Sequence, residues 1–352
     1  MNKIKLGLIY GGVSTEHEVS ISSYESIVNN INKDKYDITS FYISKDGTWF
    51  TDGKRTKDVF NSLKEMDCVF PILHGKNGED GSIAGMLEII GVSYVGCKTL
   101  SSAICMDKVI TKKLLEKANI SVAKYMFIKK LNDNFYWVQD NYDYVLLDKE
   151  ILDLSVNTLL NYPVVVKPSR SGSSVGEDTD VDVRACECCG PSVGVSVAND
   201  YLELENAINE ASIYDEKILI EEFIDGKELE VAVLGNNDLT VSNIGNIIPD
   251  EIVYSYNSKY KGNSKTVVLN TIEENLESKI KNIVLTTYKV LDCSGLARVD
   301  LFLIGNEVLV NEVNTMPGFT SISMYPKLME SINISYTDLI DRLISLSMDD
   351  KN

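Results

Sequence analysis

Apolar runs alternate with amphipathic stretches through the first third of the chain. The run from Lys5 to Tyr10 predicts a strand, and a stretch with apolar residues at Val19, Ile21 and Ile27 predicts the helix that follows. Further strands are predicted at 37–43, 67–73 and 92–95, and a further helix at 82–90. Because strands that alternate with helices are typical of an open parallel sheet, we expect an α/β domain here.

The remainder of the chain is predicted to contain more strands than helices. The predicted helices are 99–117, 203–212 and 273–291, and the predicted strands are 125–129, 162–166, 195–198, 217–224, 228–235 and 240–247. Residues 131–155 have no clear hydrophobic period, and there the pattern predicts only a loop followed by a helix.

The clearest hairpin pattern lies at 296–314. A three-residue loop, Gly305-Asn306-Glu307, predicts three facing pairs: Ile304 with Val308, Asp300 with Glu312, and Arg298 with Asn314. A two-residue turn would slip this register and break the pairing. Because side chains of a strand alternate between its two faces, the polar members of these pairs are predicted to share one face.

Two facing carboxylates in an otherwise apolar hairpin indicate a cation between them. Buried like charges are costly unless an opposite charge compensates them. Asp300, Glu312 and the amide oxygen of Asn314 form a hard-oxygen set of the kind that binds Mg²⁺, with water and phosphate oxygens as further ligands. The alternative, a surface face that carries acids, is disfavoured by how apolar both strands are.

A loop suited to phosphate follows the predicted strand 162–166. The segment from Lys167 to Gly176 reads Lys-Pro-Ser-Arg-Ser-Gly-Ser-Ser-Val-Gly, so backbone N–H groups can approach an anion closely while the lysine adds a charge. No Gly-Lys-Thr or Gly-Lys-Ser follows, and the segment is therefore not a Walker loop. The alternative is an ordinary Ser/Gly surface loop.

Two further polar residues follow predicted strands directly or after a tight turn. Glu16 follows the first strand and the turn Gly11-Gly12, and His74 follows the strand 67–73. Open α/β sheets bind ligands at the carboxyl ends of their strands, so both residues are candidates for a site. The alternatives are an acid that only caps the next helix and a histidine with a structural role.

Composition narrows the class of protein. The chain has 352 residues, 44% hydrophobic and 24% charged, which is ordinary for a globular protein of two or three domains. Its formal net charge of −18 argues against nucleic acid or an anionic membrane as a partner. The sequence shows neither a membrane span nor a signal peptide, and its seven cysteines indicate no disulfide framework, so we expect a cytoplasmic protein.

Seven motifs, taken together, resemble one known family. They are Gly11-Gly-Val-Ser-Thr-Glu-His-Glu-Val-Ser20, His74-Gly-Lys-Asn-Gly-Glu-Asp-Gly81, Cys105-Met-Asp-Lys108, Lys167-Pro-Ser-Arg-Ser-Gly-Ser-Ser174, Ser258-Lys-Tyr260, Arg298-Val-Asp300 and Asn311-Glu-Val-Asn-Thr-Met-Pro-Gly-Phe-Thr-Ser321. Over nearly its whole length the chain resembles the D-alanine:D-alanine ligases of the ATP-grasp superfamily, including the vancomycin-resistance D-alanine:D-serine ligases.

The resemblance implies an α/β (α+β) fold of the ATP-grasp type with three domains. Residues 1–105 would form an N-terminal substrate-binding domain with an open parallel sheet. Residues 106–223 would form a central subdomain and residues 224–352 a C-terminal catalytic domain, and these two would clasp ATP. The resemblance also implies D-alanine and ATP as substrates, and we expect a homodimer.

The resemblance further assigns nucleotide and metal ligands. ATP would be bound by Lys108, Lys167, Glu221, Glu222, Phe223, Ile224 and Glu228, the last at the ribose hydroxyls. Asp300, Glu312 and Asn314 would hold Mg²⁺, with two ions expected and Mn²⁺ as a substitute. The metal would neutralise phosphate oxygens during transfer.

The implied reaction has two steps. The carboxylate of a first D-alanine attacks the γ-phosphate to give an acylphosphate, and the amine of a second amino acid then attacks the acyl carbon. Arg298 and the backbone N–H of Gly318 would stabilise the oxyanion. The remaining carried-over contacts are Glu16, Ser173 and Tyr260 as a hydrogen-bonded set around the first D-alanine, His74 near its carboxylate, Lys259 at the transferred phosphate, and Ser323 and Met324 at the second substrate.

The second substrate is the open point of the resemblance. Met324 is apolar and suits a methyl group, whereas a site for a serine hydroxyl should offer a polar partner, so D-alanine is favoured over D-serine. The chain also departs from the family in an acidic, Cys-rich insertion at 177–192, next to the phosphate loop. A third alternative is therefore a nucleotide-binding homologue that this insertion has inactivated.

Overall fold

A computed structural model describes residues 3–171, 194–248, 265–269, 272–320 and 322–349 of the chain. The first sheet has the strand order β4-β3-β2-β1-β5-β6, in which β1, β2, β5 and β6 are parallel. Its strands are β1 (Ile4–Gly11), β2 (Tyr36–Ile43), β3 (Trp49–Thr51), β4 (Lys54–Arg55), β5 (Cys68–Pro71) and β6 (Ser93–Tyr94). The helices of this region are α1 (His17–Asn30), α2 (Val59–Lys64) and α3 (Ser82–Ile90). The predicted open α/β arrangement is confirmed.

The second sheet has the order β11-β10-β12-β7-β8-β9, and its paired strands are antiparallel. Its strands are β7 (Tyr125–Leu131), β8 (Asn134–Val138), β9 (Tyr144–Leu146), β10 (Val164–Pro168), β11 (Ser196–Ala198) and β12 (Lys217–Glu222). The same stretch of the chain contains the helices α4 (Thr99–Met106), α5 (Lys108–Lys117), α6 (Lys149–Leu159) and α7 (Tyr201–Tyr214).

The third sheet is also antiparallel, with the order β15-β14-β13-β16-β17. Its strands are β13 (Lys227–Leu234), β14 (Thr240–Ile248), β15 (Lys265–Val268), β16 (Leu296–Ile304) and β17 (Glu307–Asn314). The remaining helices are α8 (Glu274–Val290), α9 (Met324–Glu330) and α10 (Tyr336–Asp349).

Apolar cores hold these layers together. The first joins β1 and β5 to α9 and α10, with Leu8, Phe70 and Leu343 among its buried members. The second lies between the third sheet and α8, and the third lies between the second sheet and the helices α6 and α7. The last helix, α10, packs against the first sheet, so the last and first segments of the described chain share a core.

Two predicted elements differ from the structure. Residues 131–155 contain the strands β8 and β9 before α6, and β9 is the edge strand of the second sheet. No residue of β9 is buried, and on β8 only Val138 is, so neither strand has the fully buried face that gives a strand a clear period, which is why the pattern missed them. The predicted helix 99–117 is two helices, because Asp107 ends α4 and caps α5 by accepting a hydrogen bond from the N–H of Ile110 at 3.2 Å.

The predicted hairpin 296–314 is confirmed at its polar end and wrong at its turn. Asp300 faces Glu312 and Arg298 faces Asn314, but Ile304 faces Glu307, so the turn has two residues. A β-bulge between Asp300 and Leu301 places one extra residue, Asn311, in β17. Because of this extra residue, Asp300 still faces Glu312 although the turn has only two residues.

Candidate active site

Three acidic residues lie side by side across the third sheet. Glu230 on β13 faces Asp300 on β16, which in turn faces Glu312 on β17. Arg298 lies among them: its Nε and one Nη each donate to Asp300 at 2.7 Å, and the same Nη lies 3.3 Å from Glu230. Two carboxylates therefore hold the guanidinium group of Arg298 in place without any contribution from a substrate.

Glu230 was not among the predicted site residues. Its side chain is almost fully buried, and burial raises its pKa to about 7 against the opposing effect of Arg298. The sequence does contain a signal for Glu230: it lies two residues after Glu228 on a predicted strand, so the two side chains share one face.

The predicted metal ligands are together on this face. Asn314 donates its amide N–H to Asp300 at 2.9 Å, which leaves the amide oxygen available as a ligand. Within the described residues, no group of three or more His, Cys, Asp or Glu side chains could hold a metal ion alone. The two carboxylates and one amide oxygen nevertheless fit Mg²⁺, which takes few protein ligands and completes its shell with water and phosphate.

Two lysines of the second region point at this acidic face. Lys108, the first residue of α5, lies 3.4 Å from Glu312, and its ammonium donates to the backbone oxygen of Ser171 at 3.3 Å. Lys167 on β10 donates to Asn311, the bulge residue, at 3.3 Å. These lysines hold the pKa of Glu312 below its usual value despite burial, and they join the second sheet to the third.

The predicted adenine segment runs along the end of β12. Glu221 is buried and bonded to Lys167 at 2.6 Å, and Glu222 accepts the backbone N–H of Lys124 at 2.8 Å. Phe223 and Ile224 are partly exposed, as is Glu228 on the neighbouring β13. The structure thus brings this segment and the two lysines to the same region between the sheets.

Glu16 occupies the start of α1 but does not cap it with its side chain. The interpretation of Glu16 as a simple capping acid is therefore wrong. Its carboxylate is packed against Gly75, where a Cβ atom would lie 2.8 Å from Oε1, and Gly75 has a φ of +67°. A glycine is needed there for both space and backbone conformation.

His74 is buried and bonded at both ring nitrogens. A carbonyl can only accept, so Nδ1 carries the proton and donates to the backbone oxygen of Met316 at 3.0 Å. Nε2 then accepts from the hydroxyl of Ser23 at 3.2 Å, and the Ser23 oxygen accepts the N–H of Phe319 at 3.3 Å. Burial lowers the pKa of His74, so the ring is neutral at physiological pH.

Glu79, another residue that the sequence did not single out, lies beside Glu16. Its two carboxylate oxygens accept the backbone N–H groups of Gly75 at 2.8 Å and of Met316 at 3.3 Å. Burial and the neighbouring Glu16 raise its pKa to about 8. Glu79 therefore carries a proton at neutral pH and ties the loop after β5 to the loop after β17.

The predicted contacts for the second substrate lie in that same C-terminal loop and at the start of α9. Ser323 accepts the N–H of Thr320 at 3.1 Å, and a Cβ at Gly318 would lie 2.9 Å from the Ser323 hydroxyl. The side chain of Met324 is buried in the core against Gly245. The thioether thus serves packing here, and its contact with a substrate stays a prediction.

Three predicted catalytic residues, Ser173, Lys259 and Tyr260, lie outside the described residues, as does the insertion 177–192. Among the described residues, no helix is long and apolar enough to cross a membrane.

Two antiparallel sheets that meet through lysines and carboxylates, beside an open parallel sheet, define the ATP-grasp class of enzymes. Family models named "D-ala D-ala ligase N-terminus" and "D-ala D-ala ligase C-terminus" match residues 5–62 and 51–97, and residues 181–345, respectively. The chain belongs to the D-alanine–D-alanine ligase family.

Individual relatives match nearly end to end. The chain is 41% identical to the D-alanine–D-alanine ligase of Caldicellulosiruptor bescii, over 99% of this chain and 96% of that one. It is also 41% identical to D-alanine–D-alanine ligase B of Clostridium tetani, over 100% and 95%.

Solved structures of ligases have a similar fold over nearly the whole chain. The VanG D-Ala:D-Ser ligase from Enterococcus faecalis has a TM-score of 0.79 and 34% identity over 98% of this chain and 100% of that one. The Bacillus anthracis D-alanine–D-alanine ligase complexed with ATP has a TM-score of 0.77 and 29% identity over 100% and 99%.

Proposed function

We propose that the protein joins two D-alanine molecules into D-alanyl-D-alanine at the expense of ATP, for peptidoglycan precursor synthesis. One observation carries this proposal: Lys108 and Lys167 approach the face that holds Asp300 and Glu312, in a chain about as long as its ligase relatives. This juxtaposition offers cations for phosphate oxygens and carboxylates for a metal at the same place.

ATP would lie between the second and third sheets. Lys108 and Lys167 would contact its phosphates, Glu221, Glu222, Phe223 and Ile224 its adenine, and Glu228 its ribose hydroxyls. Asp300, Glu312 and Asn314 would hold Mg²⁺, as two ions, with Mn²⁺ as a substitute. The metal supplies positive charge to the phosphate oxygens when it is bound.

The first D-alanine would attack the γ-phosphate through its carboxylate oxygen and release ADP. Glu16 would accept its ammonium group, and His74 would lie near its carboxylate. In the acylphosphate that forms, the group that leaves the acyl carbon is phosphate, which is a far better leaving group than the oxygen of a free carboxylate. Lys259, Ser173 and Tyr260 would complete this half of the site.

The amine of the second D-alanine would then attack the acyl carbon and expel phosphate. Arg298 and the backbone N–H of Gly318 would stabilise the oxyanion, and Ser323 and Met324 would contact this second substrate. The paired hydrogen bonds from Arg298 to Asp300 support this role, because a guanidinium held in advance need not reorganise during the reaction.

The test of this proposal is phosphate release from ATP that depends on D-alanine, measured together with the dipeptide product. We expect stoichiometric phosphate and D-alanyl-D-alanine, and no turnover with L-alanine. A protein that binds ATP yet releases no phosphate with D-alanine would instead be the inactive homologue. Deletion of 177–192 is expected to leave or raise this activity.

A D-alanine:D-serine ligase is the second candidate, favoured by the similarity to VanG. Incubation with equal D-alanine and D-serine distinguishes the two, because the product composition reports the second site directly. We expect mainly D-alanyl-D-alanine. A product that is mainly D-alanyl-D-serine would overturn the assignment based on Met324.

We further infer a cytoplasmic location, where ATP is available as a substrate. We also infer a homodimer. Size-exclusion chromatography with light scattering tests the latter.

A further inference from the structure

Glu221 lies between two lysine side chains rather than beside one. Its Oε2 lies 2.6 Å from the ammonium of Lys167, and its Oε1 lies 2.8 Å from that of Lys112 on α5. The carboxylate is 4% exposed, and although burial alone would raise its pKa, the two lysines lower it to about 2. Glu221 is therefore a permanent anion at physiological pH.

Lys112 is the more deeply buried of the two cations. Its side chain is 1% exposed. Besides Glu221, its ammonium has among the described residues only a long contact of 3.5 Å to the backbone oxygen of Ala123 and the ring of Tyr125, 5.5 Å from the nitrogen to the centroid. Glu116, the acid one turn further along α5, accepts a hydrogen bond from the Tyr125 hydroxyl and attracts the Lys112 ammonium only at longer range. A buried ammonium is costly without a carboxylate, so Lys112 depends on Glu221.

Lys167 differs because it also reaches the third sheet. It contacts Asn311 at 3.3 Å, whereas the contacts described for Lys112 lie within the second region. The three groups carry two positive charges and one negative charge. One lysine suffices to neutralise Glu221, and the other retains a positive charge for an additional anion.

We propose that Lys112 is a positioning residue of the nucleotide site, which neutralises Glu221 and thereby lets Lys167 direct its charge to an ATP phosphate. This inference rests on the proposed function, because it takes Lys167 as a phosphate ligand. Without Lys112, Glu221 would hold Lys167 as its only counter-ion, and a phosphate would have to compete with a buried carboxylate for that lysine.

The test compares binding of Mg-ATP by calorimetry in four proteins: the wild type, K112M, E221Q and the double variant K112M/E221Q. K113M is the matched control, because Lys113 is the neighbouring lysine of α5 and its ammonium lies over the ring of Tyr142. We expect K112M to weaken binding about tenfold or more and K113M to leave it unchanged. Thermal unfolding of each variant reports whether it is folded.

The double variant separates positioning from mere structural damage. The E221Q substitution keeps an amide oxygen but no charge, so in that background Lys167 is already released and K112M should change binding by less than about threefold. The double variant should also bind more tightly than K112M alone. The comparison of E221Q with the double variant needs only these two proteins, so it stands even if K112M does not fold.

Two results would overturn the inference alone: wild-type affinity in K112M, or an equal loss from K112M with and without E221Q. Failure of the wild type itself to bind Mg-ATP would instead overturn the proposed function, and the inference with it.

Discussion

Asp300 and Glu312 face each other on adjacent strands, although the turn that joins those strands is one residue shorter than this register requires. The bulge at Asn311 supplies the missing residue, and Asn311 in turn contacts Lys167. The same irregularity therefore aligns two carboxylates and presents the amide of Asn311 to Lys167.

Glu312→Gln tests the metal role of this pair. The variant keeps the size of the side chain but removes a charge, so we expect turnover to fall by at least about 100-fold and the Mg²⁺ concentration for half-maximal rate to rise. Titration of the ligase rate with MgCl₂ measures both. Glu307→Gln, an exposed glutamate on the same strand, is the control and should behave as wild type. An unchanged Mg²⁺ requirement in Glu312→Gln would contradict the assignment.

Ser23→Ala tests the link between α1, His74 and the C-terminal loop. The Ser23 hydroxyl is fully buried, and its loss leaves His74 Nε2 and the N–H of Phe319 without their partner. We expect a loss of about 1–3 kcal/mol in the free energy of unfolding by urea, and a raised KM for D-alanine. Ser22→Ala, one position along and exposed, should change neither. Equal stability of both variants would show that the bridge contributes nothing.

Glu79→Gln tests the protonated carboxyl beside Glu16. The pKa of Glu79 is raised to about 8 in the fold, above the value near 4.5 of a free glutamate, so the folded state holds a proton that the unfolded state releases between these pH values. The stability contributed by this group is present below pH 4.5 and is lost as the pH rises towards 8.

Urea unfolding at several pH values checks this sign. From about pH 5 to about pH 8 the wild type should lose stability relative to Glu79→Gln, by up to about 1.4 kcal/mol per pH unit. The exposed Glu65→Gln should run parallel to the wild type. Parallel curves for Glu79→Gln and the wild type would mean that Glu79 is ionised in the fold.

The sequence allowed prediction of the parts of the site that follow from local pattern. The hairpin pattern, with an assumed three-residue loop, placed Asp300 opposite Glu312, and the chain position of Glu16 after β1 placed it at the carboxyl end of that strand. The sequence did not allow prediction of the two-residue turn, because that turn requires the bulge at Asn311. The contact of Asn311 is with Lys167 on another sheet, which local pattern does not reveal.

Buried polar residues were the main omission. On α1 the apolar residues Val19, Ile21 and Ile27 predicted the helix, yet the structure buries Ser20 and Ser23 and leaves Val19 and Ile21 partly exposed. Ser20 accepts the N–H of Gly11 at 2.9 Å and donates to the backbone oxygen of Ile72, which closes the end of β1. Such partners come from other segments of the chain, and the same holds for Glu79 and Lys112, so periodicity carries no signal for these residues.

The most direct test of the central claim follows oxygen from D-alanine into phosphate. With D-alanine labelled by ¹⁸O in its carboxylate, attack on the γ-phosphate followed by expulsion of phosphate leaves one labelled oxygen in each phosphate released. Mass spectrometry of the phosphate and of the dipeptide measures this transfer. We predict one ¹⁸O per phosphate with D-alanyl-D-alanine as product; phosphate that forms without label would contradict an acylphosphate pathway.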